Sequence, residues 1–237
     1  MITASEVYKA FGSPEARREL IMRKLETPVA NEGGNQAPAL IWGTRFEEVA
    51  KRIYQKRTNC KIIDVSCVQH PVIPFLGASP DGLIIPNDES DLQRYGRLVE
   101  FKCPFSRAET PGIPEAYIQQ MQMQMECTGI DECEYVEFRF KQYSYTDWVR
   151  APKEFEKGFF SVNESGKVDY DTQDVPETSQ IVYWVLTSIK EDFLPKDTQW
   201  LEKHEVELRT LWADVVKHRE AGTKPEVEKK QILTFDL

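Results

Sequence analysis

The stretch Ser79-Pro80-Asp81-Gly82, followed by Leu98-Val99-Glu100-Phe101-Lys102, decides how this chain is read. Residues 100 and 102 of an extended strand point to one face, so a carboxylate and an ammonium project together. Leu98, Val99 and Phe101 mark that strand as buried, and charge in such a setting calls for a partner. Asp81 stands at a Pro-Asp-Gly turn that opens the preceding strand. If the two strands pair, Asp81 comes within reach of Glu100. Adjacent carboxylates repel, and each tends to hold a proton. A hard divalent cation removes that conflict, since magnesium takes one or two carboxylates plus waters and phosphate oxygens. The Phe101 carbonyl adds a backbone ligand. Lys102 then lies beside a metal-bound water or the pentacovalent phosphate, where its charge serves phosphodiester hydrolysis. Taken singly, an Asp-Gly turn and a Glu-x-Lys pair on a strand are ordinary structural features. Their combination, about 20 residues apart with the second inside an apolar strand, is much less common.

Working outward, strands are expected over 62–65 with Val68, 75–78, 82–85 and 98–101, with a polar connection over 87–96. Upstream, Phe46, Val49, Ala50, Ile53 and Tyr54 recur at helical period within 40–56, and Lys51, Arg52, Lys56 and Arg57 form a basic outer face. Thr3 to Glu6 reads as a capping box, with Gly12 as the stop and a second helix from Pro14. Residues 28–38 read as a loop. Downstream, the pattern predicts a helix over 114–128, strands over 134–141 and 143–149, and a hairpin around 163–166. Helices are expected over 179–193 and 195–221, then a loose tail from 222 to 237. The fold class is α+β: a central mixed sheet flanked by helices, with helical N- and C-terminal additions. One domain is expected over 1–237, with a catalytic core at about 40–149 and an extension over 150–221.

The 237 residues are 41% hydrophobic, ample for a core, and no run approaches the ~18 apolar residues that span a bilayer. The N-terminus has no basic stretch followed by an apolar one. The expectation is a soluble, non-secreted protein of the cytoplasm or nucleus. Five cysteines, an odd number with no CxxC pair, argue against a zinc knuckle, a disulfide framework and an iron–sulfur cluster. The net charge of −9 is unevenly placed. Residues 1–60 hold ten Lys and Arg against seven Asp and Glu, a net of +3, which leaves −12 for 61–237. A DNA enzyme needs a local basic surface rather than a basic whole, so the charge neither supports nor excludes DNA.

Five stretches in order resemble the PD-(D/E)xK nuclease superfamily and, within it, the lambda exonuclease and YqaJ-type viral recombinase family. They are Ile2 to Val7, Ala39 to Gly43 with Phe46-Glu47, Ser79 to Gly82, Glu100 to Phe105, and Ala116-Tyr117 with Gln120 and Gln122. Beyond about residue 135 the segments 181–193 and the last helix resemble the large-DNA-virus branch. The resemblance implies a restriction-endonuclease-like core. It places Glu47, Asp81 and Glu100 in the metal site with the Phe101 carbonyl, Lys102 as the catalytic lysine, and Gln120 as a residue that orients the site. The implied cofactor is Mg²⁺, with Mn²⁺ as a substitute. Ser5 matches a serine that helps bind a 5′-phosphate, although a helix-capping serine reads equally well. The arginine that accompanies it in the family is not seen ahead of it, since the sequence begins at Met1; either the start is trimmed or Arg17 or Arg45 takes that contact. Tyr117, Gln120 and Gln124 share a helix face that suits a cleft wall, while Met121 and Met125 suit the core.

The expected activity is metal-dependent digestion of double-stranded DNA ends, 5′ to 3′, for recombination. The alternatives are a structure- or sequence-specific endonuclease with the same centre, and a DNA-binding module without turnover. By the same resemblance the partners are duplex ends, a single-strand annealing protein and further copies of the chain, a trimer by analogy. The segment 231–235 loosely resembles peptides that dock on sliding clamps, and a disordered tail is the simpler reading.

Overall fold

The computed structural model describes residues 1–26, 37–87, 93–171 and 175–226. The expected loop over 28–38, the last residues and the clamp-like segment therefore fall largely or wholly outside the described residues. The chain opens with β1 (Ile2–Thr3), a 3-10 helix (Ala4–Phe11), α1 (Pro14–Leu25) and α2 (Pro38–Thr58). Then follow β2 (Cys60–Ile63), β3 (Val68–Gln69), β4 (Leu76–Ala78), β5 (Gly82–Pro86), β6 (Leu98–Lys102) and α3 (Glu115–Thr128). The remainder is β7 (Glu132–Tyr143), α4 (Tyr145–Arg150), β8 (Lys157–Val162), β9 (Val168–Asp169), β10 (Gln180–Pro195) and α5 (Trp200–Ala221).

Seven strands form one mixed sheet in the order β2-β5-β6-β7-β10-β8-β9, and β1-β4-β3 form a second, small sheet. In the large sheet β6 and β7 run parallel while β5 pairs antiparallel with β6. Strand β6 is buried on both faces, as its near-continuous apolar sequence requires. Val99 and Phe101 pack with Phe46, Val49, Ala50 and Ile53 of α2. Leu98 packs on the opposite side with Met121 and Met125 of α3. The alternating Gln and Met of α3 follow from its two-sided setting. Met121 and Met125 meet the large sheet, whereas Met123 and Cys127 enter a second core built from β1, the 3-10 helix, α1, β4 and α5.

Local signals account for several boundaries. The Glu6 carboxylate reaches back to the Thr3 N–H at 3.0 Å, one half of a capping box, although the helix it opens is 3-10. Ser13 caps α1 ahead of Pro14 at its first position. The expected hairpin is present. The Asn163 carbonyl accepts the Gly166 N–H at 2.9 Å, and Gly166 takes φ +82°.

Four expectations are corrected. Residues 179–193 form no helix: Gln180–Pro195 is a 16-residue strand paired with β7 on one side and β8 on the other. Its Ile181 to Leu186 run is β-branched and aromatic, and pairing on both edges overrides the helical spacing. Residues 143–149 are not a strand, because Ser144 accepts the Asp147 N–H at 3.2 Å and caps α4. The single strand expected around 62–68 divides into β2 and β3, which belong to different sheets. The last helix also starts later than expected, at Trp200, since β10 runs through Pro195.

Candidate active site

Pairing between β5 and β6 covers only Gly82↔Val99 and Leu83↔Leu98, whereas β7 accompanies β6 through Lys102. Asp81 fills the place that β5 leaves. Its Oδ2 accepts the Phe101 N–H at 2.7 Å, so the turn is tied to the strand that carries the charges. Gly82 is required beside it, because a Cβ there would stand 2.1 Å from Ile62 Cγ2.

Glu100 is 1% exposed and projects toward α3. Lys102 Nζ ion-pairs with its Oε1. Gln120 Nε2 donates to the same oxygen at 2.6 Å, and Gln124 Nε2 donates to Oε2 at 2.7 Å. Lys102 also reaches Gln120 Oε1 at 3.3 Å and lies 4.6 Å above the Tyr117 ring. Glu47 of α2 faces the same centre and borders a cleft of about 460 Å³ shared with Leu40, Lys102, Phe105, Arg107 and Tyr117.

The electrostatics match this crowding. Desolvation pushes the Asp81 carboxyl well above its ordinary range, and the neighbouring Glu100 and Glu47 add to it. Glu47 is shifted upward by desolvation in the cleft and then by Glu100. Burial alone would lower the Lys102 ammonium, but Glu100 and Asp81 outweigh it and hold it above its usual range. Lys102 is therefore a fixed cation at neutral pH.

Seven of the residues singled out from sequence, Glu47, Asp81, Glu100, Phe101, Lys102, Tyr117 and Gln120, share this centre. Three do not line its cleft. Ser5 is exposed at the first turn of the 3-10 helix, 3.4 Å from the Thr3 hydroxyl. Arg17 donates to the Ala10 carbonyl at 2.5 Å and borders a separate cleft beside Pro225. Arg45 borders a third cleft with Trp42, Gln142 and Gln180. Gln124, read from sequence as sharing a cleft-facing side of the helix with Tyr117 and Gln120, holds Glu100 instead and does not border the cleft. One residue at the site was not singled out for it. Arg107 stands 5.3 Å over Tyr117 and ion-pairs with buried Glu137, which also accepts from Tyr135 and Arg139. Nothing local in sequence announces that network.

The donor set tests well against a hard divalent ion. Asp81, Glu47 and the Phe101 carbonyl offer oxygen, and the two carboxyls are driven toward protonation unless a cation joins them. Among the described residues no three His, Cys, Asp or Glu side chains converge as an ion cage. Glu100 is turned instead to Lys102, whose ammonium supplies the positive charge.

A mixed sheet carrying Asp81 opposite a Glu-x-Lys strand, with a helical glutamate across the cleft, is the arrangement that the resemblance to PD-(D/E)xK nucleases implies. The chain belongs to the family of the YqaJ-like viral recombinase domain, whose description matches residues 1–131. An uncharacterised protein of Acanthamoeba polyphaga mimivirus is 31% identical over 118 residues, covering 46% of this chain and 22% of that protein. An alkaline exonuclease from Laribacter hongkongensis is similar in structure, with a TM-score of 0.56 and 23% identity over 93% of this chain and 90% of its own. The same enzyme in complex with dAMP gives a TM-score of 0.57 at 22% identity, over the same shares of the two chains. A phage-related exonuclease from Haemophilus somnus gives 0.57 at 11% identity, over 94% and 96% of the two chains. No described helix is long and apolar enough to cross a membrane.

Proposed function

We infer that this chain is a divalent-cation-dependent exonuclease that hydrolyses phosphodiesters at the ends of duplex DNA. One observation carries the reading: Asp81 is hydrogen-bonded to the backbone of the strand that presents Glu100 and Lys102, at the floor of an open cleft. The exonuclease likeness of the structural neighbours supports it.

Asp81, Glu47 and the Phe101 carbonyl would hold the ion, and Glu100 joins them when its bond to Lys102 is exchanged. A bound Mg²⁺ or Mn²⁺ supplies a water of lowered pKa and charge against the phosphate oxygens. The protein's own groups do the rest. Lys102, held as a cation beside Glu100, would stabilise negative charge on the phosphate. Gln120 and Gln124 keep the Glu100 carboxylate oriented. The Tyr117 ring and Arg107 form the wall against which the strand lies.

The 5′ to 3′ polarity rests on Ser5, which is solvent-accessible beside helix N–H groups that favour an anion. Arg17, one candidate for the accompanying arginine, is committed to the Ala10 carbonyl. Duplex ends, an annealing partner and a recombination role belong to the same proposal, supported by likeness to the family. Digestion of end-labelled linear duplexes and covalently closed circles, with and without Mg²⁺, tests the reading. Linear DNA should shorten from its ends and closed circles should survive. Nicking of closed circles would establish an endonuclease, and metal-independent binding without cleavage would overturn turnover altogether. Preference for a 5′-phosphate over a 5′-hydroxyl end tests Ser5.

A further inference from the structure

The outer face of the C-terminal strands carries a row of aromatic rings that the proposed chemistry does not use. Tyr183 of β10 is directly opposite Tyr143 of β7 and Phe159 of β8. Directly paired residues share a face, so the three rings cross three strands side by side. The alternate residues Val182, Trp184 and Leu186 point the other way, into the core under α2. Helix α4 adds two rings to the row. Trp148 lies 5.2 Å from Tyr183 and 6.1 Å from Phe159, and Tyr145 lies 5.3 Å from Tyr183. None of these rings lines the catalytic cleft. Tyr145 is 60% exposed, and the other four rings are half-buried.

Cations flank the row at the next register position, where Val185 stands between Lys141 and Lys157. Lys157 Nζ is 5.2 Å from the Trp148 ring and is fixed there by the Trp148 and Ala151 carbonyls at 2.8 and 2.9 Å. Lys141 is exposed, with Nζ 5.3 Å from the Tyr143 ring. Residues 139–157 hold five Lys and Arg against three Asp and Glu, a local net of +2 in a chain of −9. Of the three acids in this stretch, Asp147 bonds the Ser144 hydroxyl and Glu156 pairs with Lys56. The row continues into a groove of about 400 Å³ whose rim holds Arg52 and Lys56, paired with Glu48 and Glu156 respectively.

We propose that this face is a binding surface for single-stranded nucleic acid, on which unpaired bases stack against Tyr143, Tyr183, Phe159 and Trp148 while Lys141 and Lys157 meet the phosphates. A sheet face bearing neighbouring rings with cations at its margin suits bases that have lost their partners. A duplex offers only its edges and backbone to such a surface. The occupant that the enzyme itself supplies is the strand left behind when its complement is digested. That identity rests on the nuclease reading; the binding does not.

The test is anisotropy of a short labelled oligothymidylate mixed with the full chain in EDTA, where no cleavage occurs. Tyr183→Thr keeps a strand-forming residue and should weaken binding about tenfold. Lys141→Glu, at an exposed position, should weaken it and lower the salt slope by about one. Affinities of the Tyr183 and Lys141 variants equal to the parent's would overturn the proposal. So would a parent that forms oligomers in sedimentation and a Tyr183→Thr variant that does not, since the face would then join copies of the chain. A parent that binds the oligonucleotide through these residues but leaves duplexes intact would sink the nuclease reading and leave this one standing.

Discussion

Gln124 donates its side-chain amide to Glu100 Oε2 at 2.7 Å, while its own Oε1 is buried without a partner among the described residues. A fully buried amide that leaves half its capacity unmet is retained at a cost, and what it secures here is the orientation of one carboxylate. Gln124→Met preserves volume and helix propensity but frees Oε2. A bond to a charged group contributes about 1.5–3 kcal/mol, so kcat should fall about tenfold or more. The KM for duplex ends should be unaffected, because Gln124 does not border the cleft. A fall confined to KM would count against an orienting role.

Lys102 is the charge that Glu100 faces in the absence of an ion. Lys102→Ala should lower kcat by about a hundred- to a thousandfold, the scale for losing one group aimed at developing charge. The same variant removes the ammonium with which an incoming ion competes. Calorimetric titration should therefore show tighter Mg²⁺ or Mn²⁺ binding than in the parent, and added ion should raise the melting temperature more. Unchanged ion affinity would show that Glu100 does not exchange partners.

Glu6 sits in the second core, away from the catalytic cleft. Burial raises its carboxyl, but bonds to Lys24 and the Thr3 amide reverse this, and it lies below its ordinary 4.5. Its contribution to stability is whole above that ordinary value and fades as pH falls through the lowered folded one. Glu6→Gln should cost about 1–3 kcal/mol at neutral pH and converge with the parent in acid. Urea unfolding at several pH values reads the difference, and a pH-independent deficit would contradict the ion pair.

Gly82→Ala places a methyl group against Ile62. Overpacking of this kind costs about 1–3 kcal/mol, and here it also shifts Asp81 from the Phe101 amide. Activity should drop with stability. Ile62→Ala in the same chain should restore part of both, giving a favourable coupling energy in a double-mutant cycle. Strict additivity would mean that the backbone of β2, not the Ile62 side chain, sets the limit.

The proposed catalytic residues could be singled out because their arrangement is local. Asp81, Glu100 and Lys102 lie on two adjacent strands, and spacing alone places Glu100 and Lys102 on one face. Glu47 was legible only through family likeness, since an isolated helical glutamate carries no signal of what it faces. The long strand β10 was misread because Ile181, Val182, Val185 and Leu186 also satisfy a helical period. Pairing with β7 and β8, which no single-sequence pattern contains, decides between the two. The Arg107–Glu137–Tyr135 network was invisible for the same reason: it joins residues 30 positions apart through strand register.

The two-sided packing of α3 has a consequence for what portion of the chain must be made to obtain the site. Recognisable family sequence ends at residue 131. Yet Gln122 bonds the Pro195 carbonyl and the Asp197 amide, both at 2.9 Å, and Gln119 accepts the Trp200 indole N–H at 2.7 Å. Trp200, Leu208, Leu211 and Val215 close the core on the other flank of the helix that holds Glu100. A fragment cut at the recognisable boundary would keep Glu47, Asp81 and Glu100, the carboxylates proposed to hold the ion, and lose the brace that aims one of them. For this chain, the length that identifies the enzyme is shorter than the length that operates it.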